Sequence, residues 1–332
     1  MEYATLGRSD LDVSAVTMGL WNVAGGVTWG ETARREAIAA IDAAIDAGIT
    51  TFDTAEAYGD GASERFLGAA IDGRDRGDLQ IATKAWPDNH RPADLKAACR
   101  ESLDRLGTDY VDLYYLHYPN EEVPFDETFG ALAELREDGL IREVGVSNFG
   151  VEQLREAREA SRVPIVANQV PYSLLWRAIE FEVQEACRDA NTSIVAYSPL
   201  AQGLLADAYD DPDDVPEGVA RTRHFSGDRP HARHGENGVE ELTFGTLDRI
   251  REICADADRP MAEVALAWVL GRAGVGSAVA GSTTPEHVRA NAAAAGADLD
   301  PDVAERLEAA TAELTEALGP NPDPWQSDSR YR

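Results

Sequence analysis

From residue 16 to residue 280 the chain alternates between short β-branched or apolar runs and stretches with helical periodicity, and that alternation leaves few folds open. Strand-like runs fall at residues 16–20, 48–52, 79–83, 112–116, 142–146, 165–169, 194–197 and 277–280. Between them the pattern predicts helices over residues 32–47, with Ile38, Ile41 and Ile45 on one face, from about Ser63 onward, and over 93–106, 126–138, 151–160 and 177–189. Eight strands with intervening helices predict a (β/α)8 TIM barrel. Residues 3–16 alternate polar and apolar around Gly7 and Asp10, predicting a β-hairpin ahead of the first barrel strand, and further helices are expected toward the C-terminus. A doubly wound sheet would carry G-x-G-x-x-G just after its first strand; the nearest glycine cluster, Gly271 to Gly276, lies near the end of the chain. No Ser/Gly/Pro-rich linker divides the sequence, so residues 1–332 are expected to form one barrel domain.

In a parallel barrel the carboxyl ends of the strands converge on one face, so the residues at those ends carry the functional reading. Asp53 closes the second strand and Tyr58 lies in the loop that leaves it; Lys84 follows the third strand and His117 the fourth. Taken alone, Asp53 reads equally well as a turn cap and Tyr58 as surface packing. Lys84 shifts the balance, because of 30 basic residues only Lys84 and Lys96 are lysines. An ammonium responds to its neighbours where a guanidinium does not. Later strand ends add Ser147 and Asn148, Gln169, and Tyr197, a mixture of donors and acceptors with one flat face. After the last strand, Gly281, Ser282, Thr283 and Thr284 precede Pro285, a helix start lined by hydroxyls that suits a phosphate.

The segments FDTAEAYG, TKAW, DLYYLH, GVSNF, NQVPYSLL, YSPLAQG and GSTTPEHV stand in the order and at the spacing of the aldo-keto reductases, and the chain resembles that family over nearly its whole length. The resemblance implies NAD(P)H-dependent reduction of a small-molecule carbonyl. It implies Tyr58 as proton donor, Lys84 and Asp53 as its activating ion pair, and His117 as the group that orients the carbonyl. A nearby ammonium is expected to lower the phenol's pKa. The resemblance also implies a cofactor site of Ser147, Asn148, Gln169, Tyr197, Ser198, Leu200, Gly203, Arg221, Gly281, Ser282, Thr283, Arg289 and Asn291. Trp21, at the exit of the first strand, and Trp86 are the candidate substrate contacts, although Trp21 fits ordinary packing equally well. Gly281 and His287 stand where members selective for the phosphorylated cofactor carry basic residues. What remains for a 2′-phosphate is the Ser282, Thr283 and Thr284 hydroxyls, the helix N-terminus near Pro285 and Arg289, so NADPH is the expected cofactor, with NADH also used.

The formal charge of −30, from 60 acidic and 30 basic residues, argues against nucleic acid and anionic membranes as partners and resembles the surfaces of proteins from a molar-salt cytoplasm. A merely soluble acidic protein is the plainer reading. No run is long enough to span a bilayer and the N-terminus lacks a secretory signal, so a cytoplasmic enzyme is expected. Cys99, Cys187 and Cys254 are scattered and fit reduced thiols; no metal site is expected, although His224, His231 and His234 share the long charged loop over residues 205–240. That loop and Trp325 in the proline-rich tail are candidates to close over the barrel mouth. Two other readings stay open: a barrel enzyme using Lys84 as a Schiff base, and a regulatory subunit that binds the cofactor as a redox sensor. The substrate loops carry no basic cluster, and the oligomeric state is not encoded legibly.

Overall fold

The computed structural model describes residues 1–24 and 34–332. Eight parallel strands close into a barrel: β3 (Val16–Gly19), β4 (Thr51–Asp53), β5 (Gln80–Ala85), β6 (Val111–Leu116), β7 (Ile141–Ser147), β8 (Ile165–Pro171), β9 (Ser193–Tyr197) and β10 (Val275–Ala280), with β10 pairing back onto β3. Helices α1 (Arg34–Asp46), α2 (Ala62–Ile71), α3 (Pro92–Leu106), α4 (Phe125–Glu137), α5 (Val151–Ala160) and α6 (Val183–Ala190) follow the strands in turn. Four more come later: α7 (Glu240–Asp256), α8 (Met261–Leu270), α9 (Pro285–Ala294) and α10 (Pro301–Leu318). The expected start of the first helix at Thr32 lies outside the described residues. Local chemistry sets several boundaries: Pro92 opens α3 and left-handed Gly107 closes it, while Asp300 caps α10 by accepting from the Asp302 amide.

Strand periodicity separates two cores. Along β5 and β6, Ile81, Ala85, Tyr114 and Leu116 point outward to the helices, whereas Ala82, Leu113 and Tyr115 fill the barrel interior. The N-terminal hairpin, β1 (Tyr3–Thr5) with β2 (Asp12–Ser14), seals the amino end of the barrel, where Leu6, Leu11 and Val13 pack on Val166 and Val195. The opposite end stays open.

One expected helix is interrupted. Residues 177–189 form a short turn at Ala178–Glu180 and then α6, with the break at Glu182 (φ −148°). The turn is pulled inward by its own polar groups: the Tyr172 hydroxyl donates to Glu180, and Arg177 pairs with Glu180 while donating to Thr311 of α10.

Candidate active site

The open end of the barrel holds a cleft of about 730 Å³, which lies within the range of small-molecule sites. At its floor Lys84 is fully buried and its ammonium donates to Asp53 Oδ1 at 2.5 Å, to the Thr54 carbonyl at 2.9 Å and to the Tyr58 hydroxyl at 3.2 Å. All three N–H groups are thereby spent, an arrangement that orients a phenol and leaves little for a Schiff base. The other Asp53 oxygen accepts from Gln169 Nε2 at 2.7 Å. Gln169 thus lines the cleft while bracing the carboxylate, a role its strand-end position did not reveal.

Burial, reinforced by the Asp53 carboxylate, holds the Tyr58 phenol well above its ordinary value, which corrects the expectation that Lys84 lowers it. Burial likewise lowers Lys84, with Asp53 opposing the shift. The phenol is accordingly protonated, the state a proton donor needs. His117 lies edge-on to Tyr58 with ring centroids 5.6 Å apart, edge-on to Trp86 at 5.2 Å, and stacked on Tyr118 at 5.4 Å. Burial, then the Lys84 and Arg330 charges, push its pKa well below the usual imidazole range. A neutral imidazole beside a protonated phenol gives two hydrogen-bonding groups and no added charge.

The wall beyond Tyr58 runs through the later strand ends. Tyr197 lines the cleft and donates to Asn148 Oδ1 at 3.0 Å, while Asn148 Nδ2 donates to the His117 carbonyl at 2.9 Å and to Ser147 Oγ at 3.0 Å. Ser198, Leu200, Gly203 and Arg221 continue it, followed by Gly281, Ser282, Thr283 and Asn291. A Cβ on Gly281 would lie 2.6 Å from the Gly19 carbonyl and 2.9 Å from Asn22 Oδ1, so a side chain has no room here. Thr284 starts α9 without a side-chain cap, leaving the helix N-terminus facing the cleft. His287, Ala290 and Asn291 of α9 face the cleft, but Arg289 is exposed and does not line it.

The tail turns back over the mouth, where Trp325, a candidate from the sequence, lines the cleft. Sequence reading missed Arg330, which lines it too, and Tyr331, whose hydroxyl donates to Asn148 Oδ1 at 2.6 Å. Tyr118, Gln202 and Arg233 also line it. His224 serves packing, held by the Leu175 carbonyl at 2.9 Å, and among the described residues no three His, Cys, Asp or Glu side chains are grouped to hold a metal. No described helix is long and apolar enough to cross a membrane.

Residues 15–312 match the model of the aldo/keto reductase family. The chain belongs to that family. This aldo-keto reductase is 32% identical over 299 residues to the Bacillus subtilis aldo-keto reductase YhdN, covering 87% of each chain. It is also 32% identical to the NADH-specific methylglyoxal reductase of Escherichia coli, covering 93% of this chain and 100% of the relative. Among solved structures it is similar to an aldo-keto reductase from Klebsiella pneumoniae in complex with NADPH, with a TM-score of 0.72, 30% identity, and coverage of 93% and 95%. Family membership makes it an NAD(P)H-dependent oxidoreductase with the barrel and hairpin of its relatives.

Proposed function

We propose that this aldo-keto reductase reduces aldehydes and ketones, open-chain sugars among them, with NADPH as principal cofactor and NADH also accepted, and that Tyr58 supplies the proton. The observation that carries the reading is the buried Asp53–Lys84 pair holding the Tyr58 hydroxyl at the cleft floor. A bound nicotinamide supplies the hydride. The chain's own residues do the rest: His117 and Tyr58 hydrogen-bond the carbonyl oxygen, and Tyr58 passes its proton to the oxygen as negative charge develops there. Lys84 stabilises the phenolate left behind, and Asp53 keeps the ammonium aimed.

The wall residues fit a dinucleotide. Tyr197 offers a ring face to nicotinamide, with Ser147, Asn148 and Gln169 beside it, and the open N-terminus of α9 with Ser282 and Thr283 suits phosphate. We assign Ser198, Leu200, Gly203 and Arg221 to the pyrophosphate stretch and Gly281 and Asn291 to the adenosine end. Trp21 and Trp86 flank the carbonyl. With Arg289 turned away, a 2′-phosphate meets hydroxyls and backbone amides, which supports use of both cofactors, as do relatives named for NADH and bound to NADPH. The test is a spectrophotometric screen of aldehydes, ketones and sugars with each cofactor at high salt. The expected result is nicotinamide oxidation with members of the set; cofactor binding without oxidation by any carbonyl would mark a sensor rather than an enzyme.

A further inference from the structure

The chain has twice as many acidic as basic residues, yet Asp53 is the one carboxylate lining the cleft among the described residues, and it is spent on Lys84 and Gln169. Three arginines line the same cleft: Arg221 and Arg233 from the long loop and Arg330 from the tail. The fold therefore assembles the basic cluster that no single segment of the sequence displays.

Two of these guanidinia stand next to the reaction centre through aromatic rings. On one side Arg221 lies 5.6 Å above the Trp21 ring and 4.9 Å above Trp325, and Trp21 is 6.4 Å from Tyr58. Its Nε is buried with no hydrogen-bond partner. On the other side Arg330 lies 4.1 Å over Tyr118, which stacks on His117. Asp323, fully buried, accepts from Arg330 Nε at 2.6 Å and Nη2 at 2.9 Å, fixing the guanidinium before any ligand arrives.

We propose that the preferred substrates are small carbonyl compounds carrying an anionic group, carboxylate or phosphate, and that Arg330 is the specificity-determining residue that receives it. The inference rests on Tyr58 and His117 marking the carbonyl position. A guanidinium holds an oxyanion by directed, charge-assisted bonds, and doing so in a confined cleft fixes the carbonyl against Tyr58.

The test compares kcat/KM for matched pairs at low ionic strength: para-carboxybenzaldehyde against its methyl ester, and glyceraldehyde phosphate against glyceraldehyde. The anionic member of at least one pair should be preferred by about tenfold or more, with the preference shrinking as salt is added; which pair responds distinguishes carboxylate from phosphate. The Asp323→Asn, Arg330→Gln double variant exchanges the ion pair for a neutral one and should lose most of that preference, and Arg330→Lys should keep part of it. No preference in either pair, or a preference that survives the double variant, overturns the proposal. So does a double variant that raises only the KM for NADPH, since Arg330 would then serve the cofactor. Benzoate and benzamide titrations, followed by tryptophan fluorescence, read the anion site without turnover. Absence of turnover with every aldehyde overturns the reductase reading and the substrate assignment with it, whereas intact turnover with benzoate binding no tighter than benzamide overturns the anion site alone.

Discussion

Tyr58 is kept protonated by the desolvation that also lowers the pKa of Lys84, so its hydroxyl is a donor in the free enzyme. The difference in phenolate absorbance between wild type and Tyr58→Phe should therefore show no ionisation below pH 10, the ordinary phenol value; a transition below it would contradict the raised pKa. The four catalytic candidates were legible because Asp53, Lys84 and His117 stand at the carboxyl ends of strands and Tyr58 in the loop leaving one, where the fold itself converges. Arg289 was misplaced for a physical reason: on a helix, two positions from His287 is more than half a turn around, and orientation depends on how α9 docks. Arg289→Ala is accordingly expected to leave kcat/KM for both cofactors unchanged, and a selective loss with NADPH would restore the arginine to the 2′-phosphate site.

At the scale of elements, the hairpin was readable from alternation, because period two marks a strand with one face exposed, and the barrel strands from short apolar runs, which mark burial on both faces. The tail was not, since residues 319–332 have no period. Its order comes from remote bonds: Trp176 Nε1 to the Pro322 carbonyl at 3.1 Å, the Arg330–Asp323 pair, and the Arg332 carbonyl accepting from the first-turn amides of Glu152 and Gln153 in α5. Gly150 permits that last contact, because a Cβ there would meet the Arg332 carbonyl oxygen at 2.5 Å and its nitrogen at 2.6 Å. Gly150→Ala should cost about 1–3 kcal/mol and release the tail. Hydrogen exchange should rise over residues 321–332 while the barrel strands stay protected; unchanged tail protection would show that the strap is held elsewhere.

The whole molecule carries a charge of −30, with many carboxylates engaged in surface pairs with arginine worth little each. Net repulsion should then dominate in dilute buffer, and the melting temperature should rise from low salt to molar potassium chloride as screening sets in. A melting point independent of salt would mean that local pairing already offsets the excess. Acid acts through a different route. His90 and His224 are buried and pushed down to about 4 from 6.5. Between those values the unfolded chain binds protons that the folded chain refuses, so stability is full above pH 6.5 and falls as pH drops toward 4, by at most roughly 3 kcal/mol for each histidine. Melting in molar salt at pH 7 and pH 5 should show this loss, reduced in His90→Gln and in His224→Gln; an identical pH slope in both variants would place the acid sensitivity on other groups.

The measurement closest to the central claim is the turnover of Tyr58→Phe alongside its cofactor affinity. The hydroxyl acts on the substrate oxygen while the ring keeps its contacts with Trp21 and His117. The account predicts that kcat for aldehyde reduction falls by about 10² to 10⁴ while the Kd for NADPH stays within about twofold of wild type. Wild-type turnover in Tyr58→Phe would contradict it.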